Sequence, residues 1–165
     1  MEGSHRRKSI PMDEIEKFVD EYCESKNFSH IDYVVAIANG GTELGKLFAK
    51  ILMKPIFFID YSSKKGLGTG KHIDSLTDFP SYRYKNLLIV DDIVDSGHTL
   101  HDISTFYNDK ACGVEYFVMY LNDKNERGFE CDCYERLGED KPWIVFPWEK
   151  EWNKFTVGHK YERAS

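Results

Sequence analysis

The stretch from Asn86 to Leu100, NLLIVDDIVDSGHTL, limits what this chain can fold into more than any other. Leu87-Leu88-Ile89-Val90 is an apolar run short enough to be a buried strand. Two adjacent carboxylates follow, Asp91 and Asp92, then Ile93-Val94 and a third acid, Asp95. Ser96-Gly97-His98-Thr99 is small and turn-forming, and Leu100, Ile103 and Tyr107 come after it at helical spacing. The order is strand, acidic crevice, tight loop, helix N-terminus. Backbone N–H groups and hydroxyls from Asp95 to Thr99 would wrap an anion at the positive end of a helix dipole. Asp91 and Asp92 would stand at the carboxyl end of a central strand, where open α/β sheets bind their ligands. Three acids beside an anion cradle suit a sugar phosphate, with the acids on the hydroxyls and the loop on the phosphate.

The same alternation runs through the rest of the chain. Asp13 to Lys26 has Ile15, Phe18, Val19, Tyr22 and Cys23 at helical spacing, with Asp13-Glu14 suited to the first turn. Tyr33 to Ala38 is an apolar strand, and Asn39-Gly40-Gly41-Thr42 is a sharp turn into a helix faced by Leu44, Leu47, Phe48, Ile51 and Leu52. Two glycines at such a turn let backbone N–H groups approach a ligand at a second helix N-terminus. Pro55 to Ile59 reads as a strand, and from Asp60 to Lys85 the pattern dissolves into a long loop rich in glycine and lysine. Val114 to Leu121 is another strand, Asn122 to Pro142 reads as irregular, and Trp143 to Trp148 closes the ordered part. Strands alternating with helices indicate an α/β fold with a doubly wound, mainly parallel sheet flanked by helices.

At 165 residues, 41% of them hydrophobic, the chain is expected to form one domain over 13–152, between flexible tails at 1–12 and 153–165. It carries 22 basic against 28 acidic residues, which argues against sequence-independent nucleic-acid binding. Arg6-Arg7-Lys8 is too short a basic run to reverse that. No apolar run is long enough to span a bilayer, and no signal-like segment stands near Met1, so a cytoplasmic protein is expected. Cys23, Cys112, Cys131 and Cys133 lack a zinc spacing and read as free thiols. No G-x-G-x-x-G follows the first strand of the alternation, which counts against a dinucleotide-binding oxidoreductase.

Asp91-Asp92-Ile93-Val94-Asp95-Ser96-Gly97-His98-Thr99 resembles the phosphoribosyl-pyrophosphate (PRPP) signature of the type I phosphoribosyltransferases. Lys141-Pro142-Trp143-Ile144-Val145-Phe146-Pro147-Trp148-Glu149 is similar to the hood of the purine members that act on hypoxanthine or on xanthine and guanine. The resemblance implies transfer of the 5-phosphoribosyl group from PRPP to a purine base, a 6-oxopurine in the first instance. It assigns Asp91 and Asp92 to the ribose hydroxyls and Mg²⁺, and Asp95, Ser96, Gly97, His98 and Thr99 to the 5′-phosphate. Asp95 also becomes the catalytic group that exchanges a proton with the imidazole ring of the base.

Asn39, Gly40 and Gly41 become the pyrophosphate loop, with a non-proline cis peptide expected at Asn39-Gly40. Asn39 stands where related purine enzymes carry a cation, and Lys46 is the residue that could compensate. Tyr61 to Tyr84 matches the family's mobile catalytic loop, with Lys64, Lys65 and Lys71 as cations for pyrophosphate. In a hood segment at about 122–152, Trp143 would stack on the base and Ile144 would read it through its backbone, while Trp148 reads as a core aromatic. Asn122, or Lys124 two residues later, stands where the family's purine members place a lysine against the 6-oxo group. Homologous folds commonly dimerise, and Phe106, Tyr107 and Trp152 are candidates either for such an interface or for the core. Two other readings stay open: a PRPP-binding regulator without catalysis, and transfer to a pyrimidine or another base.

Overall fold

The computed structural model describes residues 6–62, 72–75 and 82–149. In chain order the elements are β1 (Arg7–Ser9), α1 (Met12–Ser25), β2 (Tyr33–Ala38), α2 (Thr42–Leu52), β3 (Ile56–Ser62), β4 (His72–Ser75), β5 (Asn86–Val94), α3 (His98–Asn108), β6 (Gly113–Asn122), β7 (Asp132–Leu137) and β8 (Trp143–Val145). Six strands form one sheet in the order β4-β3-β2-β5-β6-β7. Five of them run parallel, and β4 pairs antiparallel with β3 at the edge.

The central runs 34–37, 87–90 and 117–121 are continuously buried because both faces of the sheet are covered there. Successive side chains point to opposite faces, so Val34, Leu88 and Phe117 join one core while Val35, Leu87 and Val118 join the other. The first core is closed by Ile15 and Val19 of α1 and by Leu44 and Phe48 of α2. Its centre is aromatic: the Phe117 ring lies 5.0 Å from Tyr22 and 5.1 Å from Phe48, and such pairs contribute about 0.5–1.5 kcal/mol each beyond simple burial. The second core is closed by Leu100, Ile103 and Tyr107 of α3. Tyr107 is therefore a core residue, 2% exposed, and Phe106 packs against the same cluster. Tyr107 offers no exposed aromatic face for an interface, Phe106 is half-buried, and Trp152 lies outside the described residues.

Helices on opposite faces follow from where the chain turns. β2 leads through α2 to β3 on one side, and β5 leads through α3 to β6 on the other. The chain therefore reverses direction between β2 and β5, and open sheets form ligand crevices at such a switch point.

The structure departs from three local expectations. In place of a flexible tail over 1–12, Arg7–Ser9 is a strand paired in parallel with β8, and Ile10 is 2% exposed. Its polar sequence gives no period because only the backbone and Ile10 are needed there. The stretch 122–142 holds β7, hidden in sequence because the edge strand is half-exposed and rich in charge. Arg136 on it pairs with Glu130 and Asp123, charges that discourage further strand pairing at an edge. The expected loop after Asp60 is likewise interrupted by the end of β3 and by β4.

Candidate active site

Two turns meet at the switch point. The first, Asn39-Gly40-Gly41, leaves β2 through a non-proline cis peptide at Ala38-Asn39, one bond earlier than expected. A Cβ on Gly41 would stand 2.5 Å from the Val90 carbonyl oxygen and 2.9 Å from Asp91 Cα, so only glycine lets this turn lie against β5. A Cβ on Gly40 would stand 2.5 Å from Asp92 Oδ2, which places this turn directly on the second carboxylate. Gly41 is also the N-cap of α2 and offers no side chain to its free N–H groups. The second turn, Asp95-Ser96-Gly97, ends at Gly97 with φ +89°, a left-handed conformation that favours glycine. Gly97 is the N-cap of α3 and likewise offers no side chain to its donors. The Thr42 N–H donates to the Asn39 carbonyl at 3.1 Å, and both helices start directly from these turns at the switch point, where a helix N-terminus favours an anion.

The acids of β5 lie between these turns. Asp91 is 8% exposed, and its Oδ1 accepts the Asp92 N–H at 2.8 Å. Asp92 Oδ1 accepts the Ile93 N–H at 2.7 Å. Burial, and then the neighbouring Asp92 charge, holds the Asp91 carboxyl well above the usual carboxylate range. Burial raises Asp92 as well. Two adjacent carboxyls with so little water favour a cation or a hydroxyl-bearing ligand between or beside them.

A loop that sequence reasoning missed props up the second turn. Asn125 is 8% exposed; its Nδ2 donates to the carbonyls of Asn122 and Phe129, and its Oδ1 accepts the Phe129 N–H at 2.7 Å. A Cβ on Gly97 would meet Asn125 Oδ1 at 2.5 Å, and the Arg127 N–H donates to the Ser96 carbonyl at 3.2 Å. Ser96 Oγ accepts the His98 N–H at 3.2 Å, whereas the His98 ring turns to Glu126 at 3.0 Å. The available signal was Asn122 and Asn125 three residues apart in a polar turn, a spacing that lets one asparagine close the turn behind the other.

Asn122 itself is buried, and both ends of its amide face the backbone. Nδ2 donates to the Asp95 carbonyl at 2.9 Å and Oδ1 accepts the Lys124 N–H at 3.0 Å. The Lys124 side chain is largely exposed and pairs with Glu139 at 3.9 Å. Neither residue lines the cavity next to the hood. That cavity, about 530 Å³, is walled by Asp95, Lys141, Trp143, Ile144 and Glu149. Trp143 is 59% exposed, while Ile144 is buried. Lys141, which the sequence marks only as part of the hood, reaches Asp95 Oδ1 with its Nζ at 2.7 Å.

A second cavity of about 400 Å³ is walled by Asn39, Gly40, Thr42, Asp92, Trp148 and Glu149. Trp148 is thus a cavity wall as well as a core aromatic, its ring stacked on Phe146 at 4.8 Å. Asn39 is exposed, and Lys46 faces Glu43 at 3.7 Å. Lys64, Lys65 and Lys71, expected to follow pyrophosphate, lie outside the described residues.

All four cysteines are free. Among the described residues no helix is long and apolar enough to cross a membrane, and no group of three metal-ligating side chains occurs.

A family model for the phosphoribosyl transferase domain matches residues 11–154. A hypothetical protein from Neisseria gonorrhoeae, solved with bound ppGpp, is similar with a TM-score of 0.71 at 18% identity, over 93% of this chain and 95% of that one. A purine phosphoribosyltransferase from Pyrococcus horikoshii follows at 0.68 and 22% identity, over 87% and 94%. A hypoxanthine phosphoribosyltransferase from Staphylococcus aureus gives 0.64 and 20% identity, over 78% and 76%. No curated protein sequence matches the chain.

Proposed function

The chain belongs to the phosphoribosyl transferase domain family, and from that premise we propose that it moves the 5-phosphoribosyl group of PRPP onto a ring nitrogen of a 6-oxopurine. The products are a nucleoside 5′-monophosphate and pyrophosphate. One observation carries this reading: a cavity with an exposed tryptophan adjoins the cavity over the Asn39-Gly40 turn, and Glu149 borders both. A flat base in the first would sit beside a pyrophosphate in the second, with the ribose against Asp91 and Asp92.

In this reading the 5′-phosphate lies on the turn of Ser96, Gly97, His98 and Thr99, and the pyrophosphate on that of Asn39, Gly40 and Gly41, the Gly41 N–H donating to the Ile37 carbonyl at 2.8 Å, with Lys64 and Lys65 as its cations. Trp143 stacks on the base, a contact worth about 1–3 kcal/mol, and Ile144 reads its rim through the backbone. Asp91 and Asp92 fit Mg²⁺, since they are adjacent hard oxygen donors whose burial favours a cation. Mg²⁺ typically takes one or two carboxylates and completes its shell with water and substrate oxygens. When bound, it would neutralise charge on the departing pyrophosphate. As the anomeric carbon exchanges its bond to pyrophosphate for one to nitrogen, Asp95 accepts the proton released from the imidazole ring of the base.

A second reading, a nucleotide-binding regulator on the same fold, draws support from Asn39 in place of a cation and from the ppGpp-bound neighbour. Pyrophosphate release from PRPP and Mg²⁺ with hypoxanthine, guanine, xanthine, adenine and uracil separates the two. Turnover with a 6-oxopurine, lowered roughly 10²- to 10⁴-fold by Asp95→Asn, is the expected result. Silence with every base, in a protein that still binds PRPP, would sink the 6-oxopurine reading and leave the regulator or a different acceptor.

A further inference from the structure

We propose that Lys141 is the residue that selects an oxo over an amino group on the base, in place of Asn122 or Lys124. The inference rests on the functional reading above and deepens it. Its ground is the arrangement around Asp95. Lys141 Nζ and Asp95 Oδ1 stand 2.7 Å apart on the wall of the 530 Å³ cavity that also holds Trp143 and Ile144. An ion pair as open to water as this one, with side chains 38% and 73% exposed, contributes little to folding. Its position matters more than its energy.

The pair offers a donor-only ammonium next to an acceptor-only carboxylate. A free 6-oxopurine base presents the complement along one edge, with the exocyclic oxygen as acceptor and the adjacent imidazole nitrogen able to carry a proton. Lys141 meets the oxygen and Asp95 meets that proton. In the nucleotide both edge atoms accept, and the ammonium donates to the exocyclic oxygen, the place it would hold beside the free base. A 6-aminopurine keeps the ring nitrogen as an acceptor but puts N–H donors at the exocyclic position, so an ammonium placed there forfeits its contact and two donors meet.

The alternatives at the end of β6 are placed otherwise. Asn122 spends its donor on the Asp95 carbonyl and its acceptor on the Lys124 N–H, which makes it a positioning residue for Asp95. The Lys124 side chain is 68% exposed and lies off the wall of the cavity that Lys141 lines.

Calorimetric titration of the full chain with inosine 5′-monophosphate, adenosine 5′-monophosphate and PRPP tests this, using wild type, Lys141→Met, Lys141→Arg and Lys124→Met. Wild type should prefer the inosine nucleotide. Lys141→Met should weaken that nucleotide roughly 10- to 100-fold while changing PRPP and adenosine monophosphate by less than about threefold; Lys141→Arg should retain much of the preference, and Lys124→Met all of it. An unchanged preference in Lys141→Met, or its loss in Lys124→Met, overturns the inference and leaves the functional reading standing. A wild type that binds PRPP without favouring the oxo nucleotide does the same. A wild type that binds neither PRPP nor nucleotide overturns both.

Discussion

Burial leaves the Asp91 carboxyl with little water and with the Asp92 charge beside it, so the folded chain disfavours its ionised form. Its folded pKa lies above its unfolded one, and the folded chain therefore holds more protons from the ordinary carboxylate pKa of about 4 upward. Stability from this group is full below that point and is lost as pH rises through the folded pKa. Asp91→Asn keeps an oxygen for the Asp92 N–H and removes the titration. Without Mg²⁺ or PRPP, the variant should be more stable than wild type at neutral pH by on the order of 1 kcal/mol, and inactive. Thermal melts across pH should show the gap closing toward pH ~4; a gap indifferent to pH would mean that ionisation of Asp91 is not its source. At this scale the contiguous positions were readable. Asp91, Asp92, the run from Asp95 to Thr99 and the glycines at 40 and 41 declare themselves because strand, turn and helix are adjacent in sequence. Lys141 did not, because it meets Asp95 across 46 residues and no spacing rule links them.

Among the elements, β1 governs the hood. The Trp143 N–H donates to the Arg6 carbonyl at 2.8 Å, and Arg7, Lys8 and Ser9 register with Trp143, Ile144 and Val145. Lys8 adds a pair with Glu135 of β7 at 2.8 Å. The strand that carries Trp143 thus takes its alignment from β1. Removing residues 1–10 should weaken nucleotide binding through the base by about tenfold or more, at the scale of losing one stacked ring, and PRPP binding much less. Parallel titrations with PRPP and with inosine monophosphate check this; an equal loss of both would mean general unfolding instead. β2, β5, β6 and the three helices were legible from their apolar periods. β1 and β7 were not, since short edge strands bury little and their polar residues follow no alternation.

For the whole molecule, the sheet's two cores leave the β2–β5 switch point as the place where both winding directions expose their turns. The doubly wound architecture could be read from the order of elements alone, whereas the meeting of the two cavities at Glu149 could not, because it depends on how the hood folds back. On the proposed reading, PRPP given with Mg²⁺ should raise the melting temperature more than PRPP alone, since a cation at Asp91 and Asp92 would relieve their charge. At a hundredfold excess over Kd the added stability is about 2.7 kcal/mol; equal shifts with and without the metal would argue against a cation at these acids.

The pairing of β1 with β8 also sets an order of events during synthesis. Arg6 leaves the ribosome 134 residues before Asp140, to which its guanidinium donates. At about 5–20 residues per second, on the order of 10 s passes before the partner strand is made. The turns at Asn39-Gly40-Gly41 and Asp95-Ser96-Gly97 are translated well within that interval. The nascent polypeptide therefore makes the turns at the switch point first, and the strand that carries Trp143 is among the last parts to be completed.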